Sequence, residues 1–308
     1  MIIKYHMRSN ALVSLGVLAL VTCLTTGLRA ADSAALKVVT GNTIVQDIAV
    51  HIGGDRVSAT CLLQPGVDPH TYQPVPEDVK RLADAQVVII NGLGFEGWFG
   101  GLSKEAGFKG TLVVATTGIE PLQMEAEEGE GHSKVDDPHA FNSMANGVRY
   151  AENIRDALIA ADAAGAETYR TRAALYIGEL RKADAWAKRS FAALPRSQRK
   201  LVTNHDALQY FAKEYGFAIL APNTALEDSE PSAKALGELV AFIRAQQVKG
   251  VFLEFGKNDK IVRQISTEAG VIIGHELYLD GVGPLGTSAS TYLGMFQSNV
   301  TSIVEALK

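Results

Sequence analysis

The chain has 308 residues, 47% of them hydrophobic, with 29 basic and 34 acidic side chains and a formal net charge of −5. An acidic balance of this kind disfavours DNA, RNA and anionic lipid as partners. Two cysteines, Cys23 and Cys61, are too few for a disulfide framework, so a chain of this length must hold itself together by a hydrophobic core.

The first 30 residues read as a secretory signal peptide. Lys4 and Arg8 form a basic n-region, Ala11 to Val21 a mostly apolar run, and Leu28-Arg29-Ala30-Ala31 offers small residues for cleavage. Thr22, Thr25 and Thr26 interrupt the apolar stretch, leaving it short of the ~18 residues that a membrane span needs. Leu20-Val21-Thr22-Cys23 approaches a lipoprotein cleavage site, but threonine fits poorly before the cysteine and lipidation is not expected. Removing the segment takes away Lys4, Arg8, Arg29 and no acids, moving the net charge to about −8. It also takes Cys23, so the exported chain has one thiol, at Cys61 in an apolar strand, where a buried inert role is expected.

Past the signal, short apolar runs alternate with helical patterns. Lys37-Val38-Val39-Thr40 predicts a strand, Thr43 to His51 a helix and Val57 to Leu63 a second strand. Pro76-Glu77-Asp78 opens a helix through Ala85, with proline in its first turn and acids near its positive end. Val87 to Asn91 and Thr111 to Ala115 follow as strands. From Met144 to Arg189 the strands stop. Tyr169, Ala173, Tyr176, Leu180, Ala183 and Ala187 recur at steps of three and four, marking one face of a long helix that begins after Gly165 and ends before Pro195. A second series then runs through Leu201–Thr203, Phe217–Ala221, Val251–Phe255 and Val271–Leu277, with helices between. The expected fold is two α/β lobes, each with a mainly parallel central sheet, joined by a long rigid backbone helix. The boundaries are 1–30 for the signal, 31–160 for the first lobe, 161–195 for the helix and 196–308 for the second lobe. One segment stands apart: Glu125, Glu127, Glu128, Glu130, Asp136 and Asp137 surround His132 without periodicity and read as a flexible acidic loop.

Asp-Pro-His occurs twice, as Asp68-Pro69-His70 and Asp137-Pro138-His139. A third histidine stands in Asn204-His205-Asp206, and Asp280 closes Leu277-Tyr278-Leu279-Asp280. Each follows a strand or lies in a loop, where its side chain can reach a shared point. Three neutral imidazoles and one carboxylate make a closed tetrahedral donor set of the kind Zn²⁺ prefers. The prolines hold Asp68 and Asp137 extended, where they can orient the histidine that follows or a nearby backbone group. His51, near a helix end, and His275, within a strand, are read as ordinary structural histidines. Gly92-Leu93-Gly94-Phe95-Glu96-Gly97 matches G-x-G-x-x-G, but it follows the third strand of its lobe rather than the first. It is read as a glycine-rich turn with Trp98 packing onto the sheet. No Gly-x-Ser-x-Gly, His-Glu-x-x-His or P-loop is present.

Taken together these residues resemble the cluster A-I metal-specific solute-binding proteins of bacterial ABC importers, and within them the zinc-uptake members. Asp68-Pro69-His70-Thr71-Tyr72-Gln73-Pro74 resembles the family's first-ligand loop, and Asn91-Gly92 with Glu96-Gly97-Trp98 its Asn-Gly…Glu-x-Trp turn. Asp137-Pro138-His139 is similar to the second-ligand loop, Asn204-His205-Asp206-Ala207 with Tyr210-Phe211 to the third, and Glu230-Pro231-Ser232 to the helix start that follows. Leu277-Tyr278-Leu279-Asp280 stands where the fourth ligand would lie. The resemblance implies that His70, His139, His205 and Asp280 hold one metal ion. It also implies zinc rather than manganese, whose binders are expected to carry glutamate in place of His205. Two departures stand out: Phe141-Asn142-Ser143-Met144 replaces the usual aromatic-Leu-Asp-Pro run, and the acidic loop is short with one histidine, like the AztC-type members.

The function so implied is a periplasmic protein, without enzymatic activity, that captures Zn²⁺ and delivers it to an ABC-importer membrane permease. The protein is expected to be a monomer, with a periplasmic zinc metallochaperone as a further partner and His132 as an accessory capture residue. Two alternatives stay open on the residues alone, an exported zinc-dependent hydrolase and a metal-binding adhesin of the same fold. A catalytic zinc keeps one position for water, whereas four protein donors here fill the tetrahedron.

Overall fold

In the computed structural model, which describes residues 34–125, 134–203, 206–220, 233–257 and 259–308, the first strands assemble into one parallel sheet. Strand β1 (Leu36–Thr40) leads through helix α1 (Thr43–Gly53) to β2 (Val57–Cys61). Helix α2 (Pro76–Ala83), β3 (Val87–Ile90), α3 (Phe99–Ala106) and β4 (Thr111–Val114) complete the unit. The sheet order is β2-β1-β3-β4, all parallel, with Val38 opposite both Ala59 and Val87. Neighbouring residues of one strand face opposite layers. Val38, Val87 and Ile89 join the core under α1, while Val39 and Val88 pack with Leu82, Phe99 and Leu102 of α2 and α3. Burial on both faces is why these strands read as continuous apolar runs rather than as an alternation.

The helices start where their caps lie. Asn42 accepts from the backbone N–H groups of Ile44 and Val45 at 3.0 and 3.1 Å, opening α1. Asp78, in the first turn of α2, accepts from Val75 N at 2.9 Å and from the Tyr72 hydroxyl at 2.7 Å. Along α1, Ile44, Ile48 and Ile52 recur every fourth residue and are fully buried. Each contributes about 1.5–3 kcal/mol relative to an exposed position.

Of the acidic segment only the ends are described, and these are strands rather than loop. Its described ends, β5 (Gln123–Glu125) and β6 (Lys134–Asp136), form an antiparallel pair with Met124 opposite Val135. Strands of three residues are too short to display an apolar alternation, so the pairing leaves no periodic signal in the sequence. His132, with Glu127, Glu128 and Glu130, lies outside the described residues.

Helix α4 (Met144–Ala161) and the 27-residue α5 (Ala166–Ala192) fill the strandless region. The predicted stripe of α5, from Tyr169 to Ala187, is buried at all six positions. Its first half packs on the first lobe: Tyr176 reaches Asp47 of α1 at 3.3 Å, and Arg172 Nε donates to His51 O. Its second half packs on the second lobe. There Phe191 sits among Phe211, Tyr215 and Phe217, and the Tyr215 hydroxyl donates to Asp184 at 3.0 Å.

The second lobe comprises β7 (Lys200–Leu201), α6 (Gln209–Tyr215), β8 (Ala218–Ile219), α7 (Ala233–Ala245), β9 (Gly250–Glu254), α8 (Lys260–Ala269), β10 (Ile272–Leu277) and α9 (Tyr292–Leu307). Its strands form two parallel pairs, β7–β8 and β9–β10, and Phe252 N donates to Val202 O at 3.3 Å where the pairs meet. Residues Ala35–Lys308 cluster as one compact unit. The proposed signal segment, residues 1–30, lies outside the described residues.

Candidate metal centre

In open parallel sheets, ligands gather at the carboxyl ends of strands, where the order reverses. Here that place is the end of β1 and β3, and the Asp-Pro-His loops converge on it. His70 lies in the loop after β2, where Asp68 Oδ1 accepts from its backbone N–H at 2.9 Å. The Trp98 indole donates to Pro69 O at 2.8 Å, so the glycine-rich turn after β3 braces this loop. That turn needs its glycines for backbone reasons: Gly92 and Gly94 have φ of 92° and 87°, and a Cβ on Gly92 would stand 2.4 Å from Val114. Within it the buried Glu96 carboxylate accepts from Asn42 Nδ2 at 2.8 Å and from Asn91 N at 2.9 Å. Burial raises the Glu96 pKa in spite of those donors.

His139 follows β6 and is almost fully buried. Asp137 Oδ1 lies 2.9 Å from its backbone N and 2.8 Å from its ring Nδ1. The tautomer that satisfies this contact carries its proton on Nδ1 and leaves the Nε2 lone pair for a cation. Both Asp-Pro-His aspartates therefore hold the backbone of the histidine that follows, and Asp137 also orients its ring. Above them, Asn91 Nδ2 donates to Pro138 O at 2.9 Å, and the buried Tyr150 hydroxyl donates to Asn91 Oδ1 at 2.5 Å. Tyr210 of α6 donates to Asp137 O at 2.8 Å and accepts from Leu122 N, tying the second lobe to this loop.

Asp280 follows β10. Asn299 of α9 clamps the strand end through Tyr278, accepting from its N–H at 2.9 Å and donating to its carbonyl at 2.8 Å. Val282 N donates to Thr43 Oγ1 at 3.0 Å, joining this loop to the start of α1.

Three of the four predicted donors thus come together. His139 Nε2 lies 3.3 Å from His70 Nε2 and 3.3 Å from Asp280 Oδ1, and His70 Nε2 lies 3.9 Å from Asp280 Oδ1. Donors on a tetrahedron of bond length ~2.0–2.1 Å stand roughly 3.3–3.4 Å apart. The third separation is wider than that edge, so the trio is slightly open between His70 and Asp280. With Nε2 of His139 unprotonated, the close imidazole pair calls for a proton from His70 or a cation between the rings. Among the described residues this is the one group of histidine, cysteine and carboxylate side chains close enough to hold a metal ion. His205 lies outside the described residues, so its place relative to the trio is not part of this geometry. His51 contacts Asp47 and stacks on Tyr176, and His275 is exposed beside Glu305; neither approaches the trio, as expected.

Four features carry no sequence signal of their own. Lys257 Nζ lies 2.5 Å from Asp68 Oδ2, crossing from the loop after β9 to the His70 loop. Burial is the largest influence on both groups and opposes their charge, yet the hydrogen bond and the charge attraction between them, with smaller neighbouring contributions, together outweigh it, holding Asp68 below and Lys257 above their ordinary values. Beside this pair the backbones nearly touch, since a Cβ on Gly256 would stand 2.8 Å from Gly66 O. A cleft of about 250 Å³, lined in part by Thr43, Asp68, Lys257 and Asp280, opens here at the edge of the donor trio. Asn142 is the fourth feature: its side chain donates to Ala207 O and Leu279 O, in two loops of the second lobe.

A family model described as the periplasmic component A of the zinc-uptake complex matches residues 38–306. The chain belongs to this family. It is 33% identical over 276 residues to the manganese-binding lipoprotein MntA of Halalkalibacterium halodurans, covering 90% of each. It is 30% identical over 299 residues to the iron ABC transporter substrate-binding lipoprotein MtsA of Streptococcus pyogenes serotype M1, covering 95% of this chain and 96% of the relative. The structure of the periplasmic zinc-binding protein TroA of Treponema pallidum superposes with a TM-score of 0.78 at 30% identity, covering 89% of this chain and 99% of TroA. Membership makes this chain a metal-binding solute-binding protein of the ABC-transporter type and not an enzyme, which sets aside the hydrolase alternative. No helix among the described residues is long and apolar enough to cross a membrane.

Proposed function

We propose that this protein captures Zn²⁺ in the periplasm and hands it to the membrane permease of an ABC importer, with His70, His139, His205 and Asp280 as ligands. The observation that carries the reading is the convergence of His70 Nε2, His139 Nε2 and Asp280 Oδ1, with two of the three separations at the edge of a tetrahedral site and the third wider, at 3.9 Å. The metals named for the relatives are manganese, iron and zinc, so kinship alone leaves the cargo open. Donor chemistry favours zinc: imidazoles predominate, and a histidine stands at the position where manganese binders are expected to carry glutamate.

Capture needs the imidazoles neutral, and His139 is prepared for it, because Asp137 fixes the ring and its tautomer before metal arrives. Release requires that the donors part. Helix α5 packs on both lobes, which opposes a wide hinge, so the donors separate through movement of the loops that carry them. Delivery by a periplasmic metallochaperone and accessory capture by His132 remain part of the proposal.

The test is metal analysis of protein purified without an affinity tag, followed by competition against chelators for Zn²⁺ and Mn²⁺. One zinc per chain, lost in His139→Ala, is the expected result. Exclusive retention of manganese, or full zinc binding by His139→Ala, overturns the reading.

A further inference from the structure

We infer that Asn142 is a positioning residue whose side-chain amide sets the ligand loops of the two lobes in register and thereby governs how tightly the site holds its metal. The inference rests on the ligand assignment proposed above and concerns a residue that contacts no ligand atom.

Asn142 lies in a short 3-10 turn, Ala140–Asn142, directly after His139. Its backbone N–H donates to His139 O at 3.1 Å, which fixes it relative to that histidine. The residue is 2% exposed. Its Nδ2 donates to Ala207 O at 3.0 Å and to Leu279 O at 3.1 Å. Ala207 stands two positions after His205, and Leu279 immediately before Asp280. A single NH₂ group therefore joins the second-ligand turn of the first lobe to the third- and fourth-ligand segments of the second.

The chemistry at this position is selective. Both partners are carbonyl oxygens, so the group facing them must offer two hydrogens and no lone pair, and a primary amide does so. Leucine, close in shape, leaves both carbonyls without their donor. Aspartate presents oxygen to oxygen. Serine supplies one hydrogen on a shorter arm.

The bond to Leu279 also acts where tolerance is smallest. Successive Cα atoms are fixed about 3.8 Å apart, so a displaced Leu279 carbonyl carries Asp280 with it. The 3.3 Å gap between Asp280 Oδ1 and His139 Nε2 matches the edge of a tetrahedral site, and a shift of a few tenths of an ångström lengthens a metal bond. Tyr210 and Tyr292 tie the same turn to α6 and α9 through Asp137 O and Phe141 O, so loss of Asn142 leaves the turn in place and removes only the direct bonds to Ala207 O and Leu279 O.

The experiment compares wild type, Asn142→Leu, Asn142→Ser and His139→Ala. Zinc dissociation constants are measured by chelator competition, the visible absorption of the Co²⁺-loaded proteins is recorded, and the melting temperature of each metal-free protein is taken. Asn142→Leu is expected to weaken zinc about tenfold or more, the range of partners that orient metal ligands, and to change the position and intensity of the Co²⁺ bands. Asn142→Ser, which keeps one donor, should recover part of both. A merely structural residue would lower the metal-free melting temperature while leaving the dissociation constant and the Co²⁺ spectrum as in wild type, and that outcome overturns the inference. If Asn142→Leu does not fold, Asn142→Ser carries the comparison, and wild-type affinity and spectrum in it are equally fatal. Wild-type zinc binding by His139→Ala would instead overturn the ligand assignment, and the inference with it.

Discussion

Replacing Lys257 by methionine removes the ammonium that bridges the two lobes while keeping most of the side chain's length. In the structure Lys257 Nζ stands 2.5 Å from Asp68 Oδ2, and the two side chains are 26% and 24% exposed. A hydrogen bond between charged groups contributes about 1.5–3 kcal/mol when solvent is excluded. Partial exposure lets water compete, so the expected loss is about 1–2 kcal/mol. In a chain of this size that lowers the melting temperature by about 2–6 °C. Urea denaturation of the metal-free protein at 0.15 M and 1 M NaCl provides the assay, since screening shortens from about 8 Å to about 3 Å over that range. Wild type should lose stability with salt more steeply than Lys257→Met, and the double variant with Asp68→Asn should be less destabilised than the two single changes summed. Equal stability of Lys257→Met and wild type at low salt, with no coupling to Asp68, would show that the bridge carries no net energy.

Tyr150→Phe removes a buried donor from Asn91 Oδ1, and the orphaned acceptor should cost about 1–3 kcal/mol in denaturant unfolding; a change below the error of the measurement would mean that the amide finds another partner. The hydrogen bond to Asp47 raises the pKa of His51, with burial opposing it. This contribution is therefore complete below about pH 6.5 and lost as pH rises through the higher folded value. His51→Gln should flatten that slope slightly, because the side chain is half exposed; an unchanged pH profile between 6 and 8 refutes the link. Burial pushes the Cys61 thiol up to about 11, so alkylation by iodoacetamide at pH 8 should be slow in the native state and fast in denaturant; equal rates would place Cys61 at the surface. Zinc affinity should fall as pH drops through the free-histidine range near ~6.5, since protons compete for imidazole nitrogen; a flat profile from pH 5 to 8 would exclude histidine ligands.

The sequence by itself determined the local layer of this protein. Helix α5 falls between Gly165 and Pro195 as its three-and-four stripe requires, and α1 and α2 begin at the asparagine cap and the proline turn, because caps and periodicity involve residues within one helical turn of each other. The repeated Asp-Pro-His also showed that each aspartate could serve its own histidine, a contact spanning two residues. Only the tertiary structure decided the rest. The ends of the acidic segment, Gln123–Glu125 and Lys134–Asp136, pair with each other, with no pattern in either strand to announce it. Asp68 divides its carboxylate between His70 and Lys257, which is 189 residues away. Asn142, a departure from the family run when read in sequence, reaches Leu279 across 137 residues. Periodicity and capping carry no information about partners at such separations. Which carbonyl meets which amide, and whether three donor atoms close to within bonding distance of one ion, is set by how the two lobes pack along α5.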